Sequence, residues 1–367
     1  LASCYGASAT SLIVFFRISH NRINMKKNIT FLLSALILII IATSTISCKG
    51  KNNSKSSNND EQKDVSIAKP VGPNFNEDSA YTFIAAQCKF GERIMNSDAH
   101  EKCRAWIVKK FKEYGCTVKE QNANLKGYDG TILRATNIIA QYNPNVKKRI
   151  LICAHWDSRP WADNDPDSSN HKKPVMAAND GASGVAVMIE LSRILNKKKQ
   201  PLNIGIDFVC FDAEDWGVPS WEHTVTDTGE SWALGAQYFA DNYYKKTKPL
   251  FGILLDMVGG EGAQFYREGM SMQYAPDVVE RVWNAAKEAG YESFFPDDMG
   301  GMITDDHIPI NKKAGIPTID VIPYYPDCQQ SSFGPTWHTI YDTIEHIDKN
   351  SLKAVGQTMI QVIYTYK

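Results

Sequence analysis

Residues 149–180 read RILICAHWDSRPWADNDPDSSNHKKPVMAAND. Ile150, Leu151, Ile152, Cys153 and Ala154 form a short apolar run without polar alternation, the pattern of a strand covered on both faces, as in the middle of a parallel sheet. His155 and Asp157 follow directly. In open α/β sheets ligands bind just beyond the carboxyl ends of the strands, so this His-x-Asp stands where chemistry is usually done. Asp180 closes the stretch, immediately before GASG and a run in which Val187, Met188, Leu191, Ile194 and Leu195 share one helical face.

The same alternation of strand and helix extends outward from this stretch. Upstream, the spacing of apolar residues predicts two amphipathic helices between 76 and 115, the second stopped by Gly115, and then a strand in ILRATNIIAQY around Asn137. Downstream it predicts strands at 203–211, 250–255 and 318–322 and helices at 234–243, 276–289 and 351–366. This order argues for an α/β fold with a doubly wound sheet, carried by one catalytic domain over 71–367.

The formal net charge of −1 and pI near 6.8 show no basic excess, so nucleic acid is not an expected partner. Met25, Lys26 and Lys27 precede an apolar run over 31–42 and then TSTIS and Cys48, which reads as an export signal over 25–47. Residues 1–24 read as an upstream extension. Ser47 before Cys48 resembles a bacterial lipoprotein processing site, although Thr45 stands where that pattern prefers Leu. The expectation is therefore an exported, membrane-anchored lipoprotein facing the periplasm, with Cys48 and a polar tether over 48–70. Cys88, Cys103, Cys116, Cys153, Cys210 and Cys328 include no Cys-x-x-Cys pair, although an exported protein can use some as disulfides. Cys153 and Cys210 lie in apolar strand runs and read as inert core residues.

Each strand end then offers a candidate for chemistry. His155 and Asp157 follow one strand, Glu214 and Asp215 the next, Asp256 another, and His338 lies in the late loop FGPTWHTIYD. A single such residue is usually a structural hydrogen-bonding group. Several converging strand ends, with Asp180 at a helix start, make a metal site, and imidazole and carboxylate donors without thiolates suit zinc with an open, catalytic position. His307 reads as a structural hydrogen-bonding group, and His171, His223 and His346 as solvent-facing.

The ordered set HWD, NDGASG, FDAED, LLDMVG, DDHIPI and WHT resembles the zinc aminopeptidase-like superfamily, and within it the glutaminyl-peptide cyclotransferases, from about Phe90 onward. The resemblance implies a single domain with a mixed, mostly parallel twisted sheet sandwiched by helices. It also implies one zinc ion held by Asp180, Asp215 and His338, with Glu214 as the general acid and base. His155 and Asp256 match the groups that, with a bridging carboxylate, hold a second zinc in the peptidases, and Asp157 matches a partner that orients His155. Asp305 matches a carboxylate that pairs with Asp256 and steadies leaving ammonia, while Trp221 and Trp337 match aromatic walls of the substrate pocket. The sequence departs from the pattern at Asp215, where Glu is commoner, and at Asp320, where many members have His. NDGASG is closer to the peptidase form of that loop.

The implied reaction is cyclisation of the N-terminal glutamine of peptides and proteins to pyroglutamate, by a chain expected to be monomeric. The alternatives are an exported aminopeptidase with a two-zinc site and a non-catalytic binding lipoprotein of the same fold. An intact Glu214 beside a complete ligand set argues against the last, because a binding module has no use for a general base.

Overall fold

The computed structural model describes residues 69–366 except 199–201 and 244–247. The expected export signal, Cys48 and nearly all of the tether lie outside the described residues. Helix α1 (Glu77–Cys88) begins where the Asn76 side chain accepts the Ser79 amide, and α2 (Asp98–Glu113) where Ser97 accepts that of His100. Asp98 and Glu101 in its first turn and Lys110 and Lys112 in its last complement the helix dipole. Gly115, at φ +80°, turns the chain away.

The sheet contains β1 (Thr117–Lys126), β2 (Ile132–Tyr142), β3 (Arg149–His155), β4 (Gly205–Phe211), β5 (Gly252–Leu255) and β6 (Thr318–Val321), in the order β1-β2-β4-β3-β5-β6. The β4-β3-β5-β6 half is parallel, and β1 and β2 extend it antiparallel, so the sheet is mixed as the resemblance implied. Strand β1 escapes the sequence reading because TVKEQNANLK buries none of its residues; edge pairing with β2 holds it.

Every residue of β3 and β4 is buried. Ile150, Ile152 and Ala154 face the larger core, under α1, α2, α3 (Ala182–Lys198), α6 (Pro276–Ala289) and α7 (Lys349–Thr365). Leu151 and Cys153 face a smaller core formed with Phe239 and Ala236 of α4 (Leu234–Asn242) and with Ile310 and Ile316. Ala-rich and Gly-containing positions bring helix and sheet close: a methyl group on Gly184 would be driven into the Leu255 carbonyl oxygen and the Ala154 side chain. All six cysteines in the described residues are free, so no disulfide forms among them. Burial pushes the Cys103 thiol up to about 12 and that of Cys210 higher still, which fits inert core residues.

The register places His155 opposite Phe211, Cys153 opposite Leu254 and Leu255 opposite Val321. The segments after β3, β4, β5 and β6 therefore leave the sheet along one edge, the edge where ligands bind in such folds. A further element shapes that edge. Glu268 caps α5 (Gly269–Tyr274) by accepting the Met270 and Ser271 amides, and its Oε1 also accepts the Ile303 amide at 2.9 Å, which fixes the loop leading to Asp305. Burial opposes ionisation there, but His307 and these donors win and pull the Glu268 carboxyl down to about 2.

A carboxyl depressed in the folded state stabilises above its unfolded value and loses that contribution as pH falls through the folded one. Glu268 is thus expected to contribute about 3 kcal/mol at neutral pH, lost between about pH 4.5 and 2. Urea unfolding of the wild type and Glu268→Gln across this range checks it: the stability gap between them should close as pH falls, and a pH-independent gap would show a purely steric role.

Candidate active site

Several turns at this edge adopt left-handed backbone that residues with a Cβ rarely take. Ala213 (φ 52°) precedes Glu214, Met257 (φ 49°) follows Asp256, and His338 itself has φ 52°. Such conformations cost about 1–3 kcal/mol each and persist where the surroundings dictate them. Here they aim consecutive side chains into one place.

Two buried triads result. Asp180, Asp215 and His338 form one and His155, Asp180 and Asp256 the other, the ligand atoms of each lying within 4.8 Å of one another. Asp180 is common to both and divides its oxygens between them: Oδ1 is 2.8 Å from His155 Nε2, and Oδ2 is 3.5 Å from His338 Nε2. His338 Nε2 also lies 3.2 Å from Asp215 Oδ1, and His155 Nε2 lies 3.3 Å from Asp256 Oδ1. Both Asp215 oxygens and Asp256 Oδ1 are buried without a hydrogen-bond donor among the described residues, the Arg159 guanidinium standing 3.5 Å from Asp215 Oδ1 as a charge contact only. Buried carboxylates left this way need a cation, and one imidazole with two carboxylates is a donor set that zinc accepts, so the residues fit the metal.

The residues behind the ligands are equally specific. The Asp157 carboxylate accepts the Glu214 amide (3.1 Å) and the Asp215 amide (3.2 Å), whereas its distance to His155 Nδ1 is 3.5 Å, a charge contact. Asp157 thus clamps the loop carrying Glu214 and Asp215 while its carboxylate faces the Nδ1 side of His155. Asp342 accepts the Asn179 and Asp180 amides at 2.7 and 2.9 Å and so sets the start of α3. Buried Arg159 makes a two-pronged pair with Asp163 (2.7 Å each), donates to the Asp215 carbonyl (3.0 Å) and lies over the Trp232 ring at 4.5 Å. Asp163 in turn lies 3.5 Å from His338 Nδ1, behind the face that would meet the metal.

Burial and the Asp215 charge push the Glu214 carboxyl well above its ordinary range. Burial and the Asp256 charge raise Asp305 to about 6. These carboxyls share a cavity of about 300 Å³ with Asp180 and His338, walled by Trp232, Trp337 and Phe333. Trp337 stacks on the His338 ring at 3.8 Å and meets Phe333 at 4.8 Å; Trp232 lies parallel to His338 at 6.0 Å.

Among the residues expected from sequence, Asp180, Asp215, His338, His155, Asp256, Glu214, Asp305 and Trp337 are thus brought together. Trp221 is not among the residues lining this cavity and packs instead against Trp161 (6.1 Å) and His171 (6.3 Å). His171 is half-buried there, bonded to the Asp165 carbonyl, rather than solvent-facing; His223 is exposed. His307 is fully buried, 3.3 Å from Glu268. Trp232, Phe333, Arg159, Asp163 and Asp342 were not foreseen. Asp342 does fall in the YDT that follows WHT, which is the one signal that pointed to it.

Residues 137–363 match the description of peptidase family M28. The chain belongs to that family. A solved glutaminyl cyclase from Bacteroides thetaiotaomicron is 49% identical, with a TM-score of 0.78 over 81% of this chain and 100% of that one. A solved leucine aminopeptidase precursor from the same organism is 48% identical, with a TM-score of 0.77 over 81% and 100%. An aminopeptidase of Bacillus subtilis is 29% identical over 67% of this chain, which spans only 47% of that relative. The resemblance to glutaminyl-peptide cyclotransferases on a zinc aminopeptidase-like fold therefore holds, and solved neighbours of nearly equal identity carry cyclase and peptidase names.

Proposed function

We propose that this protein cyclises the N-terminal glutamine of peptides to pyroglutamate, with release of ammonia. The observation that carries the reading is the small, indole-walled cavity in which Glu214, Asp256 and Asp305 stand beside the Asp180, Asp215 and His338 triad. A glutamine folded back on itself is compact and mostly apolar outside its reacting groups, and such a cavity fits that shape.

Zinc held by Asp180, Asp215 and His338 would polarise the side-chain amide carbonyl of the substrate. Glu214 takes a proton from the α-amine as that nitrogen bonds to the amide carbon, and returns it to the amide nitrogen as the old C–N bond breaks. Asp256 and Asp305 line the same cavity and hold the departing ammonia. Trp232 and Trp337 confine the side chain in its folded form, which matters because holding the two reacting ends together supplies much of the rate in an intramolecular reaction.

A two-metal aminopeptidase is the second reading, and the division of the Asp180 oxygens between two triads favours it. Mass spectrometry of a Gln-initiated peptide incubated with the zinc-loaded protein separates the two. Loss of ammonia with one zinc per chain is expected; release of free glutamine with two zincs per chain would establish the peptidase.

A further inference from the structure

A second cavity, of about 420 Å³, adjoins the first. The partition between them is the loop over residues 330–338. Phe333 lines both spaces, Trp337 and His338 line the first, and Gln330, Pro335 and Thr336 line the second. Asn179 reaches the second cavity while its neighbour Asp180 reaches the first. Gly334, at φ +103°, lies so close to the Tyr325 ring that no side chain fits between them, so the partition is tied to the far wall.

The lining has a distinct chemistry. Tyr325, Phe333 and Tyr341 supply aromatic faces, and the Tyr341 side chain is 51% exposed. Glu261 is the one carboxylate in this lining, 65% exposed, and His346 Nδ1 lies 3.5 Å from it. Aromatic faces with a carboxylate at the rim recognise an alkylammonium or guanidinium on an apolar stem. By contrast, the space behind Trp232 is lined by Glu230, Asp305, Lys312 and Lys313, and selects neither sign of charge.

We propose that this second cavity is a subsite for the peptide downstream of its N-terminal residue, and that it selects a Lys or Arg side chain at the second or third position. The inference rests on the glutamine-peptide reading above. An N-terminal glutamine in the first cavity has its chain leave past Phe333, where a basic side chain meets Tyr341 and Glu261.

The test compares Gln-initiated tetrapeptides carrying Lys or Glu at the second or third position, with glutaminamide as a substrate that has no downstream residue. The zinc-loaded wild type is expected to favour Lys over Glu by about fivefold in kcat/KM, the scale of one partly exposed charge and cation–π contact. Glu261→Lys should invert that ratio and Tyr341→Ala should reduce it, with glutaminamide turnover unchanged in both. A wild-type ratio near one, or a ratio that Glu261→Lys leaves unaltered, overturns the subsite. Mass spectrometry of the products keeps this distinct from the reaction itself: shortened rather than cyclised peptides would refute the cyclase reading while the Lys-to-Glu ratio still judged the cavity. No turnover of any of these substrates would refute both.

Discussion

Glu214→Gln is expected to lower glutamine cyclisation by about 10²–10⁴-fold while leaving zinc content unchanged. Glutamine matches glutamate in size and keeps the backbone in which Ala213 turns through φ 52° and Asp157 holds the 214 and 215 amides. Its amide neither accepts nor gives up a proton near neutral pH. Asp215 points its carboxylate at His338, 3.2 Å away, whereas Glu214 belongs to neither triad and lines the cavity. The adjacent residues therefore divide the labour, one toward the metal position and one toward substrate. Burial and the Asp215 charge favour the protonated Glu214 carboxyl, and these same forces make it a stronger base for the proton of the attacking amine. Steady-state rates together with metal analysis of the purified variant check the assignment. Ordinary turnover would eliminate the role, and loss of zinc would place Glu214 among the ligands.

The part of this site that sequence revealed is the part that secondary structure positions. Once 150–154 reads as a buried strand, the parallel topology requires the residues after it and after its neighbours to share an edge, and His155, Asp215 and Asp256 follow from that rule alone. Helix ends with strong local chemistry were equally plain: α6 spans Pro276–Ala289 as expected, since Pro stands at its start and Gly290, at φ +88°, ends it. What stayed hidden depends on contacts between segments distant in sequence. Trp232 reaches His338 from a loop without periodicity, whereas Trp221 was expected as a pocket wall from motif position. Arg159 and Asp163 lie within the opening stretch itself, yet their value comes from reaching the Asp215 carbonyl, Trp232 and His338, which no local pattern encodes. Asp157 was foreseen beside His155, whose Nδ1 it faces at 3.5 Å, but its hold on the backbone amides of 214 and 215 depends on a loop distant in sequence.

Removing Asp180 should have the broadest effect of any single change here, since it serves both triads. Asp180→Ala is expected to weaken zinc binding by more than the roughly 10–100-fold that follows loss of a group behind a ligand, and to abolish turnover with it. His155→Gln provides the informative contrast. Gln can still donate to Asp180 Oδ1, which His155 meets at 2.8 Å, but it is a poor zinc ligand. If the Asp180, Asp215 and His338 triad alone performs the chemistry, His155→Gln should keep one zinc per chain and a kcat within about tenfold of wild type, the change expected when a neighbouring polar contact is weakened. A two-metal peptidase predicts otherwise: His155→Gln would shed one of two zincs and lose activity as completely as Asp180→Ala. The bridging geometry of Asp180 is common to both readings, so the decision falls on His155, whose Nδ1 makes no hydrogen bond among the described residues and whose Nε2 stands between Asp180 and Asp256. Metal stoichiometry of these variants, measured with peptide turnover on the same preparations, distinguishes an imidazole that neutralises two buried carboxylates from one that holds a metal ion.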